Sequence, residues 1–192
     1  MNFDFFKYRN QLQPEKGRLL ISEPFLNDPN FERTVVLLCE HNEDGSFGFV
    51  LNKQSIVKIS DVLGDLSADS EAFVGGPVQQ DTIHYIHRIA NLPEAIPIAE
   101  SIFWGGDFDA LQSGLDIGTI REEDVRFFLG YSGWGAGQLE QEIKDDSWIV
   151  CDYITSELLF DSSPAQMWKQ ALSNMGGRFS VYSNYPIDPN LN

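Results

Sequence analysis

The strongest hydrophobic pattern in the chain is Thr34-Val35-Val36-Leu37-Leu38-Cys39, which is β-branched at its start and has no polar alternation after Thr34. A strand apolar on both faces belongs inside a sheet, not at its edge. Phe47-Gly48-Phe49-Val50-Leu51 returns after Asn42-Glu43-Asp44-Gly45, so residues 34–52 are predicted as a β-hairpin with Asp44-Gly45 at its tip. Shorter strand candidates lie at 19–21, 72–74, 83–89, 102–104 and 148–151. A longer one at 125–131 ends in a glycine-rich stretch, 130–137, and 178–183 is a last candidate.

Helical spacing appears between these strands. Val62, Leu63 and Leu66 with Ser60 as N-cap predict a helix over 59–66. Phe108, Leu111 and Leu115 predict another after Gly105-Gly106-Asp107, and Leu139 with Ile143 predict one over 138–144. Trp168, Leu172 and Met175 recur at i, i+4, i+7 between Gly176-Gly177 and Ser163-Pro164-Ala165-Gln166, which has capping-box spacing with proline at the first helical position. Strands and helices interleave, yet the hairpin rules out a regular parallel βαβ arrangement. The expected class is α/β with α+β character: a mixed sheet with peripheral helices. Without repeats or linkers, a single domain is expected over 17–185, with an N-terminal extension at 1–16 and a polar tail at 186–192.

Composition changes this picture mainly by exclusion. The 192 residues are 42% hydrophobic and include 14 Phe, 6 Tyr and 4 Trp, enough for a sizeable aromatic core. Thirteen basic against 29 acidic residues leave a net charge of −16, a field that repels phosphate backbones, so direct nucleic-acid binding is disfavoured. The start Met1-Asn2-Phe3-Asp4-Phe5-Phe6 lacks the pattern of a signal peptide, and no apolar run is long enough to span a bilayer. A cytoplasmic protein without a membrane anchor is expected. Cys39 and Cys151 sit within apolar stretches and read as buried, reduced thiols.

Four ordered motifs give the chain a family resemblance. They are Gly17-Arg18-Leu19-Leu20-Ile21-Ser22; Asp28-Pro29-Asn30-Phe31-Glu32-Arg33-Thr34-Val35-Val36 continuing to Cys39-Glu40-His41-Asn42; Gly75-Gly76-Pro77-Val78-Gln79; and Gly130-Tyr131-Ser132-Gly133-Trp134-Gly135-Ala136-Gly137-Gln138-Leu139-Glu140. Together they resemble the bacterial YqgE/AlgH family over about residues 15–183. The resemblance implies a compact α/β domain with a bifurcated or pseudo-barrel mixed sheet, and a protein often labelled a transcriptional regulator. It carries no agreed catalytic residues. Ser132 departs from the motif, where a small apolar residue such as Ala is expected.

Several residue groups invite chemistry. Ser132 follows a strand in a glycine-rich turn, but Trp134 breaks the Gly-x-Ser-x-Gly elbow, so a small residue in a tight turn is the expected role. Cys39 and His41 alternate onto one side of a strand and could join Cys151, His84 and His87 at zinc. His84 and His87, three apart in a strand, point oppositely, and no Cys-x-x-Cys anchors the set, so no metal and no cofactor are expected.

The hairpin groups Glu40, His41 and Asn42 with Asn52; turn chemistry and a Glu40–Arg33 pair are the plainer reading. Gly75, Gly76 and Gly105-Gly106-Asp107 follow strands as segment 130–137 does, and such ends could line one pocket, although none has the spacing of a phosphate loop. Trp104 and Trp134 beside glycines could face solvent or a partner, whereas Trp168 belongs to a helix core. The function this supports is a binding or indirect regulatory module acting through a protein partner or small ligand. Its cleft would lie between the hairpin and segment 130–140, with Tyr131, Trp134 and Gln138 beside the groups above. A hydrolase using Glu40, His41 or Asp107 and a DNA-binding regulator are the alternatives, the latter opposed by charge.

Overall fold

The computed structural model describes residues 12–64, 66 and 70–186. The strands are β1 (Leu19–Ser22), β2 (Val35–Asn42), β3 (Gly45–Val50), β4 (Gln54–Lys58), β5 (Glu71–Val74), β6 (Val78–His87), β7 (Ile96–Ala99), β8 (Ile102–Trp104), β9 (Val125–Gly135) and β10 (Trp148–Cys151). The helices are α1 (Ile59–Val62), α2 (Phe108–Asp116), α3 (Gln138–Lys144), α4 (Ser156–Phe160), α5 (Pro164–Met175) and α6 (Phe179–Tyr182), with a 3-10 turn at Glu122–Asp124.

The ten-stranded sheet runs β10-β1-β2-β3-β9-β6-β8-β7, with β4 and β5 branching from it. β9 is the fork. On one edge it takes β5 at Phe128 and Leu129 and then β3 at residues 132–135; on the other it carries β6. β5–β9 is the parallel pair that makes the sheet mixed. The path ends at β10 and β7 and does not close into a barrel, so the bifurcated form of the expected fold is the one present. At the fork Gly130 has φ +65°, and a Cβ there would lie 2.5 Å from the Val78 carbonyl oxygen, so glycine is required.

Strand alternation divides the core. On β2, Val35 and Leu37 face a cluster that includes Trp168 and Leu172 of α5, while Val36 and Leu38 face Trp134, Leu139 and Trp148. Leu111 and Leu115 of α2 pack with Tyr85 and Phe127 in a third cluster. As expected, β2 lies between β1 and β3, buried on both faces from Val35 to Cys39.

Several expectations are corrected. Residues 130–135 are not a turn: β9 runs through to Gly135, because glycines at 133 and 135 allow continued pairing with β3, and the chain turns only at Ala136 and Gly137. The helix expected over 59–66 is α1, ending at Val62, and its N-cap is Lys58, not Ser60. Residues 179–182 form α6 in place of a strand. Ser163 makes no side-chain cap to α5, although Pro164 occupies its first turn, so the capping box is not formed. β4, β7 and α4 are further elements, each too short to leave a periodic signal. The N-terminal extension up to residue 11 and the tail from 187 lie outside the described residues.

Candidate functional site

A cleft of about 650 Å³ opens on the sheet face formed by the tip of the β2–β3 hairpin and the end of β9. Register explains why it is there. Glu40 pairs with Phe47 and Phe47 with Gly133; Asn42 pairs with Gly45 and Gly45 with Gly135. Gly45 and Gly133, in adjacent strands, leave backbone as the floor, and an added Cβ at Gly133 would lie 3.3 Å from the Tyr131 ring and 3.9 Å from the Val78 side chain.

Aromatic rings supply the walls. Phe47 meets Trp104 edge-on at a centroid distance of 5.0 Å and Tyr131 at 6.1 Å; His84 lies 5.9 Å from Tyr131 and 6.5 Å from Trp104. Glu40 and Asp44 stand with Asn42 among the residues that line it. Asn42 donates from Nδ2 to Glu40 at 2.7 Å and accepts the Asp44 N–H at 2.9 Å, an Asx turn that fixes the hairpin tip. The Thr82 hydroxyl donates to the Gln79 carbonyl oxygen, so His84 Nε2–H donates to Thr82 Oγ1 across 3.1 Å. Burial lowers the His84 pKa below its ordinary value, which keeps the ring neutral at neutral pH.

The opposite face of the same hairpin is polar but packed. His41 and Ser46 are cross-strand partners, with His41 Nδ1 2.7 Å from Ser46 Oγ and Nε2 3.7 Å from Glu140 Oε1.

This fold and these motifs have close counterparts. The model of the AlgH-like family matches residues 19–180. The chain belongs to that family. A UPF0301 protein of Cytophaga hutchinsonii is 49% identical over 180 residues, covering 92% of this chain and 98% of its own. A UPF0301 protein of Bacteroides thetaiotaomicron is 38% identical over 192 residues, covering 98% and 97%. The solution structure of the AlgH protein from Pseudomonas aeruginosa matches with a TM-score of 0.70 at 31% identity, covering 92% of this chain and 98% of its own. A crystal structure from Corynebacterium diphtheriae matches with a TM-score of 0.78 at 23% identity, covering 93% and 95%, and shares the fold.

Within this AlgH-like protein the sequence-predicted residues separate. Glu40, Asn42, Tyr131 and Trp134 line the cleft. His41 does not join Glu40 and Asn42 there, because neighbouring strand residues face opposite sides. Nor does it share a side with Cys39: the register shift between Leu38 and Glu40 is a bulge that turns Cys39 into the main core. Asn52 sits at the other end of the hairpin, where it accepts the Val35 N–H and donates to the Arg33 carbonyl oxygen. Arg33 does not pair with Glu40; its guanidinium lies over Trp168 at 4.6 Å and donates to the carbonyl oxygens of Tyr185 and Pro186.

Gly75 and Gly76 pack against the β9 backbone instead of a pocket; a Cβ on either would lie 2.3 Å from the Gly130 or Tyr131 carbonyl oxygen. Asp107 caps α2 by accepting the Ala110 N–H, and Gln138 Oε1 accepts the Gly135 N–H. The Trp134 indole is buried, not turned to solvent. Ser132 is fully buried and donates to the Gly75 carbonyl oxygen at 3.0 Å, so its hydroxyl is a packing group. His87 is buried against Phe103, away from His84, and among the described residues no three His, Cys, Asp or Glu side chains converge on a metal position. Among the described residues no helix is long and apolar enough to cross a membrane.

Phe47 escaped sequence reasoning. Its signal is the hairpin register, which sets position 47 on the same face as Glu40, two residues from the bare Gly45. From the sequence His84 reads as a zinc candidate and Trp104 as an exposed ring; their shared wall depends on pairing between β6, β8 and β9.

Proposed function

We propose that this AlgH-like protein is a binding module that takes a small organic ligand into the cleft, with any regulatory effect following from occupancy. The observation that supports it is a glycine-floored sheet face walled by Phe47, His84, Trp104 and Tyr131, a concave and largely apolar site of the size that holds small molecules. Ser132 and Asp107, two candidates for chemistry in the sequence, have structural duties. The net charge of −16 argues against direct DNA recognition.

The test uses Gly133→Val, which adds side-chain atoms beside Tyr131 and Val78 at a lining position free of unusual backbone geometry. Protein purified from its native host should release a small molecule on denaturation, detected by mass spectrometry, and Gly133→Val should release none. Equal release from both proteins, or none from wild type in the presence of host extract, refutes the reading.

One observation favours hydrolysis as a second reading: Ser46 Oγ, His41 and Glu140 form a line of hydroxyl, imidazole and carboxylate. Covalent labelling by a fluorophosphonate, lost in Ser46→Ala, would establish it. The binding reading expects no labelling.

A further inference from the structure

We infer that the cleft selects a small organic cation, a free molecule with an ammonium or guanidinium head group. This rests on the cleft being a ligand site, as proposed above, and adds the charge and chemistry of the occupant.

The walls and the rim agree on the sign of charge. Phe47, Trp104 and Tyr131 present electron-rich ring systems within one centroid network, the surroundings that attract a cation within about 6 Å of a ring face. Glu40 and Asp44 line the same cleft, and among the described residues no lysine or arginine lines it. The fourth ring, His84, sits between Phe49 at 5.3 Å and Tyr131 at 5.9 Å. Its imidazole is held neutral by burial, so it adds no opposing charge near pH 7. An anionic ligand would meet two carboxylates and a chain of net charge −16.

Shape narrows the class. A space of about 650 Å³ exceeds an ammonium head alone, so the ligand carries an apolar or planar body that can lie on the backbone floor at Gly45 and Gly133. The Asn42 side chain, bonded to Glu40, holds one carboxylate in place at the mouth. Methylated ammonium groups suit such a site because they spread charge over a surface that rings contact without loss of strong hydration.

The experiment is isothermal titration of the full chain with choline and with 3,3-dimethylbutan-1-ol, its uncharged isostere. Choline should bind at least about tenfold more tightly than the isostere, a difference on the scale of a desolvated cation–π contact. Glu40→Gln combined with Asp44→Asn, both at exposed positions, should weaken choline by about tenfold and leave the isostere unchanged. Trp104→Ala should abolish choline binding; because Trp104 also packs on the core, the carboxylate pair is the variant that decides if it fails to fold.

Equal affinity for choline and the isostere, both lost in Gly133→Val, overturns the cation assignment while the ligand site stands. Binding of neither overturns the cation assignment, and native-host release then judges the ligand site separately. A peptide with one trimethylated lysine that binds about tenfold tighter than choline overturns the free small molecule in favour of a protein side chain, a difference of one decade in affinity.

Discussion

Trp134 and Trp148 share one carboxylate oxygen: both indole N–H groups donate to Oε2 of Glu142, at 2.9 and 2.8 Å. The rings meet edge-on with centroids 5.9 Å apart, and Gln138 donates to the other oxygen, so α3 is tied to β9 and β10 through one side chain. Replacing Glu142 by Leu should destabilise the fold by about 2–6 kcal/mol, because each of the two orphaned buried indole donors costs roughly 1–3 kcal/mol. Urea unfolding would measure it. Glu142→Gln, whose amide oxygen can still accept, should lose less than half as much.

His87 is fully buried as a neutral ring, with Nε2 donating to the Gly105 carbonyl oxygen at 2.9 Å and Nδ1 accepting the Ile89 N–H at 3.1 Å. Burial lowers its pKa from 6.5, and His84 is shifted the same way. As pH falls through 6.5 the unfolded chain takes up protons that the folded chain refuses, so stability is full above that value and declines below it. The melting temperature should therefore be lower at about pH 5.5 than at about pH 7.5, a window above carboxylate titration. His87→Gln should flatten this decline; an unchanged slope would assign it elsewhere.

Ser132→Ala should change stability by no more than about 1 kcal/mol, the net worth of one hydrogen bond. The Gly75 carbonyl oxygen that it releases still accepts the Val50 N–H at 2.8 Å. A loss well above this in thermal unfolding would mean that the hydroxyl carries more than packing.

Cys39 and Cys151 are 3% and 1% exposed, and burial pushes both thiols above their ordinary range. Native protein should leave both unmodified by Ellman's reagent over minutes, and denatured protein should react at both positions. Fast labelling of Cys39 in native protein would show that the bulge beside Glu40 opens.

What could be read from the sequence follows the range of the signals. The apolar run at 35–39 and the Trp168, Leu172, Met175 repeat report local burial, and both became the elements they suggested. Residues 130–135 misled because glycine serves both turns and close-packed strands; only the partner across the sheet, β3, decides between them. Residues 178–183 carry too few side chains for either period, and contact with α5 set them as helix. At the cleft, Glu40, Asn42 and Tyr131 were visible as polar or aromatic residues beside turns. His41 was misplaced because chain neighbours in a strand face apart, and Phe47 was missed because its importance comes from the glycine opposite it in β9. The Glu142 link was hidden in a helix judged by Leu139 and Ile143 alone.

The forked sheet also dictates when synthesis can yield a finished molecule. β3, β5 and β6 begin at residues 45, 71 and 78 and all bond to a strand that starts at residue 125, while β1 finds its second partner at residues 148–151. A nascent chain emerging N-terminus first holds those edges open until β9 and then β10 leave the ribosome. Chains that stop between α2 and β10 would keep unpaired strands of the kind that template aggregation. Fragments cut short there are therefore expected to be the insoluble species, with the complete chain escaping that fate by finishing its sheet.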